Sequence, residues 1–156
     1  MKAKRLEAVI FDLDGTLTVP YLDFDAIRAE IGGIQGPILE ALAGKSEAEK
    51  TRAFEIIHRH ELDAAENSQL QEGAYEMLRT LRTEGRKIGL LTRNRHDSVE
   101  RICAKHDLSF DVIVTREDGP IKPDPFGVTH ACRMLGVQPE ASCVVGDYLY
   151  DLIAGR

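Results

Sequence analysis

Apolar residues along this chain fall into two patterns, short unbroken runs and longer stretches that recur at helical spacing. Ala8-Val9-Ile10-Phe11 is an unbroken run that ends in Asp12. Strands covered on both faces are continuously apolar, so the run predicts a buried parallel strand. Asp14-Gly15-Thr16 predicts a tight turn directly after it. From Gln71 onward, strand and helix signals alternate. The spacing predicts helices over 73–84 (Tyr75, Leu78 and Leu81 on one face), 96–106 and 125–135. Strands are predicted over 87–92, 110–114 and 142–145. Strands alternating with helices of about a dozen residues imply parallel βαβ units, joined by right-handed crossovers.

Residues between Asp23 and Asn67 break this rhythm. Ile27, Ile31, Ile38, Leu39, Leu42, Phe54, Ile56, Ile57 and Leu62 recur at helical spacing, and Gly32-Gly33 and Gly36-Pro37 punctuate them. Ser46-Glu47-Ala48-Glu49 reads as a helix start, with a capping serine and acids in the first turn. The segment therefore predicts two or three helices and no strand. The fold class is α/β, a Rossmann-like doubly wound parallel sheet carrying a small all-helical insertion. The core comprises 1–18 and 71–156, and the helical unit 19–70. The last predicted strand ends a few residues before Arg156. Most α/β sheets continue with a helix and another strand, so an unpaired strand edge is expected here.

Composition narrows the class without naming an activity. The chain has 156 residues, 43% hydrophobic and 29% charged, as in globular domains. No apolar run approaches the ~20 residues that span a bilayer, and the basic start Met1–Arg5 precedes too short an apolar stretch for a signal peptide. A cytoplasmic protein without a membrane partner is expected. The net charge of −6 argues against nucleic acid as the main partner. Cys103, Cys132 and Cys143 are odd in number and lack CxxC spacing, which reads as reduced and unpaired.

Candidate chemistry sits just after predicted strands, where open α/β sheets bind ligands. Asp12 and Asp14 are two carboxylates at i and i+2 beyond a strand end. If their environments push their pKa values apart, one serves as a nucleophile and the other as a proton donor. A solvated acidic turn is the plainer reading, although Gly15 and Thr16 favour approach to an anion. Thr92 ends Gly89-Leu90-Leu91-Thr92, and its hydroxyl and the following amides suit a phosphate. A helix cap, which Asn94 or Asp97 also offers, is the alternative. Arg93 and Arg95 read either as substrate contacts or as solvated charges. Lys122 lies among Pro120, Pro123 and Pro125, whose rings limit where its amine can go. There it can neutralise a phosphate and a carboxylate together, or stand as a surface lysine. Asp147 and Asp151, at i and i+4, read as one face of a first helical turn. They suit Mg²⁺, which takes hard oxygen ligands, or cap the helix.

Taken together, Phe11-Asp12-Leu13-Asp14-Gly15-Thr16-Leu17-Thr18, Leu91-Thr92, Lys122-Pro123 and Gly146-Asp147 through Asp151 resemble the four motifs of the haloacid dehalogenase-like hydrolase superfamily. The resemblance covers nearly the whole chain and looks closest to phosphoglycolate phosphatase-like members. It implies a first strand at the centre of the sheet beside the strand of the fourth motif, and a helical cap in place of 19–70. It also implies a Mg²⁺-dependent phosphatase acting on a small phosphorylated metabolite. Asp12 is then the nucleophile and Asp14 the acid, later the base. Thr92 and the Arg93 amide hold the phosphoryl group, and Lys122 bridges phosphate and nucleophile. Asp12, the Asp14 carbonyl and Asp147 bind Mg²⁺ with Asp151 in support.

The insert is shorter than the usual cap of that type, which leaves the substrate open. Glu30, His58, His60 and Tyr21 read as helix-surface or interface residues rather than substrate contacts. A phosphomutase of the same superfamily and a non-catalytic binding protein are the alternatives. A receiver domain does not fit, because its acids occupy separate strands. Dehalogenation needs neither Mg²⁺ nor an acid at position 14. The oligomeric expectation is a monomer or a homodimer.

Overall fold

A computed structural model describes residues 5–156; Met1–Lys4, part of the expected 1–18 core segment, lie outside the described residues. Four parallel strands form one sheet: β1 (Ala8–Phe11), β2 (Lys87–Leu91), β3 (Val112–Val114) and β4 (Ser142–Val145). Their order is β3-β2-β1-β4. From β1 the chain builds outward through β2 to β3, then returns to lay β4 on the other side of β1. That reversal makes a crevice at the C-terminal end of β1. Pairing is in step across the centre, with Phe11 opposite both Leu90 and Val145.

The period of two in β1 explains the two faces of the sheet. Val9 and Phe11 point toward α4 (Ala74–Thr83) and α5 (His96–His106), where they meet Leu78, Val99 and Ile102. Ala8 and Ile10 point the other way, toward α6 (Phe126–Leu135) and α7 (Leu149–Ala154), against Val128, Ala131, Leu135 and Ala154. The expected inward face of α4 needs one correction. Tyr75 is 46% exposed, and Ala74 and Leu78 fill the buried positions. Leu81, three residues after Leu78, packs partly buried against the same core, so only Tyr75 leaves the expected face. β3 also starts two residues later than its apolar run, because Asp111 turns its carboxylate onto the Ile88 amide at 2.7 Å.

Three helices fill the stretch between the first turn and residue 70: α1 (Phe24–Ile31), α2 (Ile38–Ala41) and α3 (Glu47–Glu66). They bury their own small core of Ile27, Ile34, Ile38, Leu42, Ala53 and Ile57. Ser46 caps α3 and Glu49 returns the bond, a reciprocal capping box. The two chain connections between this unit and the sheet run side by side. Val19 donates to the Gln69 carbonyl and Gln71 to the Leu17 carbonyl, each at 2.9 Å. Among the described residues no helix is long and apolar enough to cross a membrane.

Candidate active site

Two backbone bonds gather the loops that follow the strands. The Asp12 amide donates to the Val145 carbonyl at 2.9 Å, which carries the ladder past the end of β1 and brings Asp12 beside the Gly146-Asp147 turn. The Thr92 amide donates to the Val114 carbonyl at 3.0 Å, which sets Thr92 beside the loop holding Lys122. Residues far apart in sequence thus meet at one end of the sheet. Gly15 has φ +81, and a Cβ there would run into the Asp147 carboxylate. This close approach of the first and fourth loops requires glycine.

Lys122 is not a surface lysine; it is 4% exposed. Its Nζ donates to Asp12 Oδ1 at 2.8 Å, Asp151 Oδ1 at 2.6 Å and the Leu91 carbonyl at 3.1 Å. An ammonium has three N–H donors, so this arrangement uses all of them. The lysine fixes the Asp12 carboxylate and lends positive charge to the site without a spare hydrogen for a phosphate.

Asp12 and Asp14 face different partners. Asp12 Oδ2 receives only a long bond from Thr16 Oγ1, at 3.5 Å. Burial pushes the Asp12 carboxyl up to about 6, and the Lys122 charge restrains that rise. Asp14 accepts from Asn94 Nδ2 at 2.7 Å. Burial, and then the neighbouring charge of Asp12, push Asp14 up to about 7, against the pull of the Asn94 bond. The order suits a donor at Asp14 and a carboxylate at Asp12. Both values rise, however, where the spacing argument looked for divergence, because both groups lie away from water.

Carboxylate oxygens of Asp12, Asp147 and Asp151 lie within 4.8 Å of one another. Asp147 also accepts from Thr16 Oγ1 at 2.9 Å. All three ligand atoms are hard oxygens, which suits a small divalent cation. Asp151 has both oxygens engaged, one by Lys122 and one by the Tyr148 amide at 3.1 Å. Asp12 Oδ2 and Asp147 are therefore freer to ligate, and Asp151 holds Lys122 against Asp12. The sequence-based placing of Asp147 and Asp151 on one helical face is corrected. α7 begins at Leu149, so Asp147 lies in the preceding turn while Asp151 caps the first turn.

Thr92 is buried, and its Oγ1 accepts from the Asn94 amide at 3.1 Å. The expected cap at Asn94 or Asp97 is not the one found. α5 is preceded by Arg95 with no side-chain cap, and Glu117 receives the His96 amide instead at 2.8 Å. Asn94 turns inward to Asp14, a contact that an i+2 spacing from Thr92 does not announce.

The helical unit lies over this end of the sheet and encloses a cavity of about 480 Å³ that reaches Asp12, Asp14, Thr92, Lys122, Asp147 and Asp151. Arg93 also lines it, but the guanidinium is bonded to both oxygens of Glu40 on α2 at 2.8 Å and lies over the Tyr150 ring. Arg116, after β3, forms a buried ion pair with Glu61 of α3 and donates to the Arg93 carbonyl at 3.0 Å. Asn94 reads in the sequence only as a helix-cap alternative, and Glu40, Glu61 and Arg116 carry no local signal, since their partners lie on other elements. Tyr21 lines the cavity while donating to Asp63 at 3.1 Å. Glu30 pairs with His60 at 2.9 Å and His58 with Asp97 at 3.0 Å.

The family model for the haloacid dehalogenase-like hydrolases matches residues 6–156. The chain belongs to the haloacid dehalogenase-like hydrolase family. It is 34% identical to a haloacid dehalogenase-like hydrolase domain-containing protein of Arabidopsis thaliana, across 96% of this chain and 66% of that protein. It therefore spans about two thirds of that relative's length. It is 29% identical to pyrophosphatase PpaX of Bacillus mycoides, across 97% of this chain and 80% of the relative. Among solved structures, a hydrolase from Pseudomonas syringae matches with a TM-score of 0.78 at 23% identity, covering 96% of this chain and 80% of that one. A predicted phosphoglycolate phosphatase from Haemophilus somnus matches at 0.70 with 19% identity, covering 99% and 82%. These two likenesses show the shared fold: a parallel sheet wrapped by helices in the family's Rossmann-like manner.

Proposed function

We propose that this hydrolase is a Mg²⁺-dependent phosphomonoesterase that works through a phosphorylated Asp12. The observation that carries the reading is the clamp of Asp12 by buried Lys122, next to an Asp14 whose carboxyl burial pushes up to about 7. Asp12 attacks phosphorus as the ester P–O bond breaks, and Asp14 gives its proton to the departing alcohol oxygen. Asp14, now a carboxylate, takes a proton from water as that water attacks phosphorus and frees Asp12. Thr92 and the Arg93 amide hold the phosphoryl oxygens. Mg²⁺ at Asp12, the Asp14 carbonyl and Asp147, steadied by Asp151, would offset the negative charge of the transferring group. Residues 19–70 act as the cap that covers the cavity and selects a small phosphorylated metabolite.

The protein should hydrolyse p-nitrophenyl phosphate with Mg²⁺ and lose that activity in EDTA. Asp12→Asn should abolish turnover, because an amide is no nucleophile toward phosphorus; full activity in that variant rejects the mechanism. Pyrophosphate is a second reading, favoured by the likeness to the Bacillus pyrophosphatase. It belongs in the same assay.

A further inference from the structure

Away from the carboxylates, much of the cavity wall is apolar. Tyr21, Phe24, Ile27, Pro37, Ile38 and Leu39 line it from the helical unit. Tyr148 and Tyr150 line it from the turn and helix after β4. Phe24 and Tyr148 are 53% and 60% exposed. Large rings left open to solvent within a concave site mark a surface built for a ligand. The volume of about 480 Å³ exceeds what a phosphoryl group on a two-carbon acid needs.

The arginines of the wall are paired with acids of the protein. Three line the cavity, and each forms an ion pair within the protein, although the buried Arg116 Nη2 has no hydrogen-bond partner. Arg28 bonds Asp25 at 2.9 Å and the Gly36 carbonyl at 2.8 Å. Arg93 is held by Glu40 and Arg116 by Glu61. Lys122 has spent its three N–H groups on Asp12, Asp151 and Leu91. An apolar group meets the wall as it stands.

We infer that the alcohol half of the substrate is a bulky apolar group, arylalkyl or medium-chain alkyl, seated between Phe24 and Ile38 of the helical unit and Tyr148 and Tyr150 of the sheet domain. This rests on the phosphomonoesterase reading and names its substrate class. The chemistry at phosphorus is unchanged. Selectivity comes from apolar surface that leaves water only when this half of the substrate is large.

The test compares kcat/KM, with Mg²⁺, for ethyl phosphate, 2-phenylethyl phosphate, n-octyl phosphate, phosphoglycolate and pyrophosphate. Ethyl and 2-phenylethyl alcohols are similar leaving groups, so their ratio reads the pocket rather than the chemistry. The 2-phenylethyl ester should exceed the ethyl ester by roughly 10–100-fold, with phosphoglycolate and pyrophosphate no better than ethyl phosphate. Phe24→Ser and Tyr148→Ser alter exposed side chains and should each cut that ratio several-fold. Asp12→Asn, unable to turn over, should bind 2-phenylethyl phosphate more tightly than phosphoglycolate in calorimetry. A ratio near one, or a preference for phosphoglycolate or pyrophosphate, overturns the inference while the hydrolase chemistry stands. A high ratio untouched by both serine variants overturns the assigned seat. Loss of all Mg²⁺-dependent turnover, p-nitrophenyl phosphate included, removes the reading beneath it as well.

Discussion

Lys122 sets three donors against Asp12, Asp151 and the Leu91 carbonyl in a nearly dry setting. Without it, two buried carboxylates face each other with no cation between them. Lys122→Met should therefore cost about 2–4 kcal/mol of stability in EDTA, read by urea denaturation, and should also abolish phosphatase activity. Asp14 runs the other way. Its carboxyl is raised from 3.8 to about 7, chiefly by burial. Well below pH 4, the folded and unfolded chains both keep this proton. As pH rises toward 7 the unfolded chain releases it first, so the stability tied to this group falls through that interval. Asp14→Asn, free of that penalty, should be more stable than the parent at pH 8 in EDTA by about 1–3 kcal/mol, a figure lowered for partial exposure. The gap should narrow toward acid pH. Equal stability of the two proteins at pH 8 would show that Asp14 carries no burial cost.

Elements with local signals were readable from the sequence. β4 and α5 fall on the predicted residues because a β-branched run between turns, and a 3.6-period stripe ended by Asp107, are local patterns. The capping box at Ser46 and Glu49 is local too, and Ser46→Ala should cost about 1 kcal/mol. What the sequence did not show lies between elements. Glu61 on α3 meets Arg116 after β3, 55 residues on, and Glu40 on α2 meets Arg93 after β2. No spacing rule links such positions. The two pairs differ in expected weight. Burial pushes the Glu61 carboxyl up and Arg116 draws it back, so Glu61→Gln strands a buried guanidinium and should cost about 1–3 kcal/mol in thermal or urea unfolding. The Arg93–Glu40 pair is more open to solvent, and Glu40→Gln should change stability by less than about 1 kcal/mol.

At the scale of the molecule, a doubly wound sheet places four loop ends at one crevice, and a helical unit with its own core lies above it. The positions of Asp12, Thr92 and Asp147 were legible because each follows an apolar run, and a parallel sheet aligns the ends of its strands; Lys122 lies farther along the loop after β3, where the prolines around it are the local signal. The composition of the wall above them was not, because it arises from packing α1, α2 and α7 around a shared space. If three carboxylates share one ion, Mg²⁺ binds the folded chain and not the unfolded one. Millimolar Mg²⁺ should then raise the melting temperature of the parent but not of Asp147→Asn.

The most direct test follows the phosphoryl group itself. Protein mixed with substrate and Mg²⁺, quenched in acid within the first turnover and digested, should yield a peptide spanning Ala8–Phe11 and Asp12 that carries one added phosphoryl group on Asp12. EDTA should prevent its formation. A phosphoryl group on another residue, or turnover that never labels Asp12, would contradict the account.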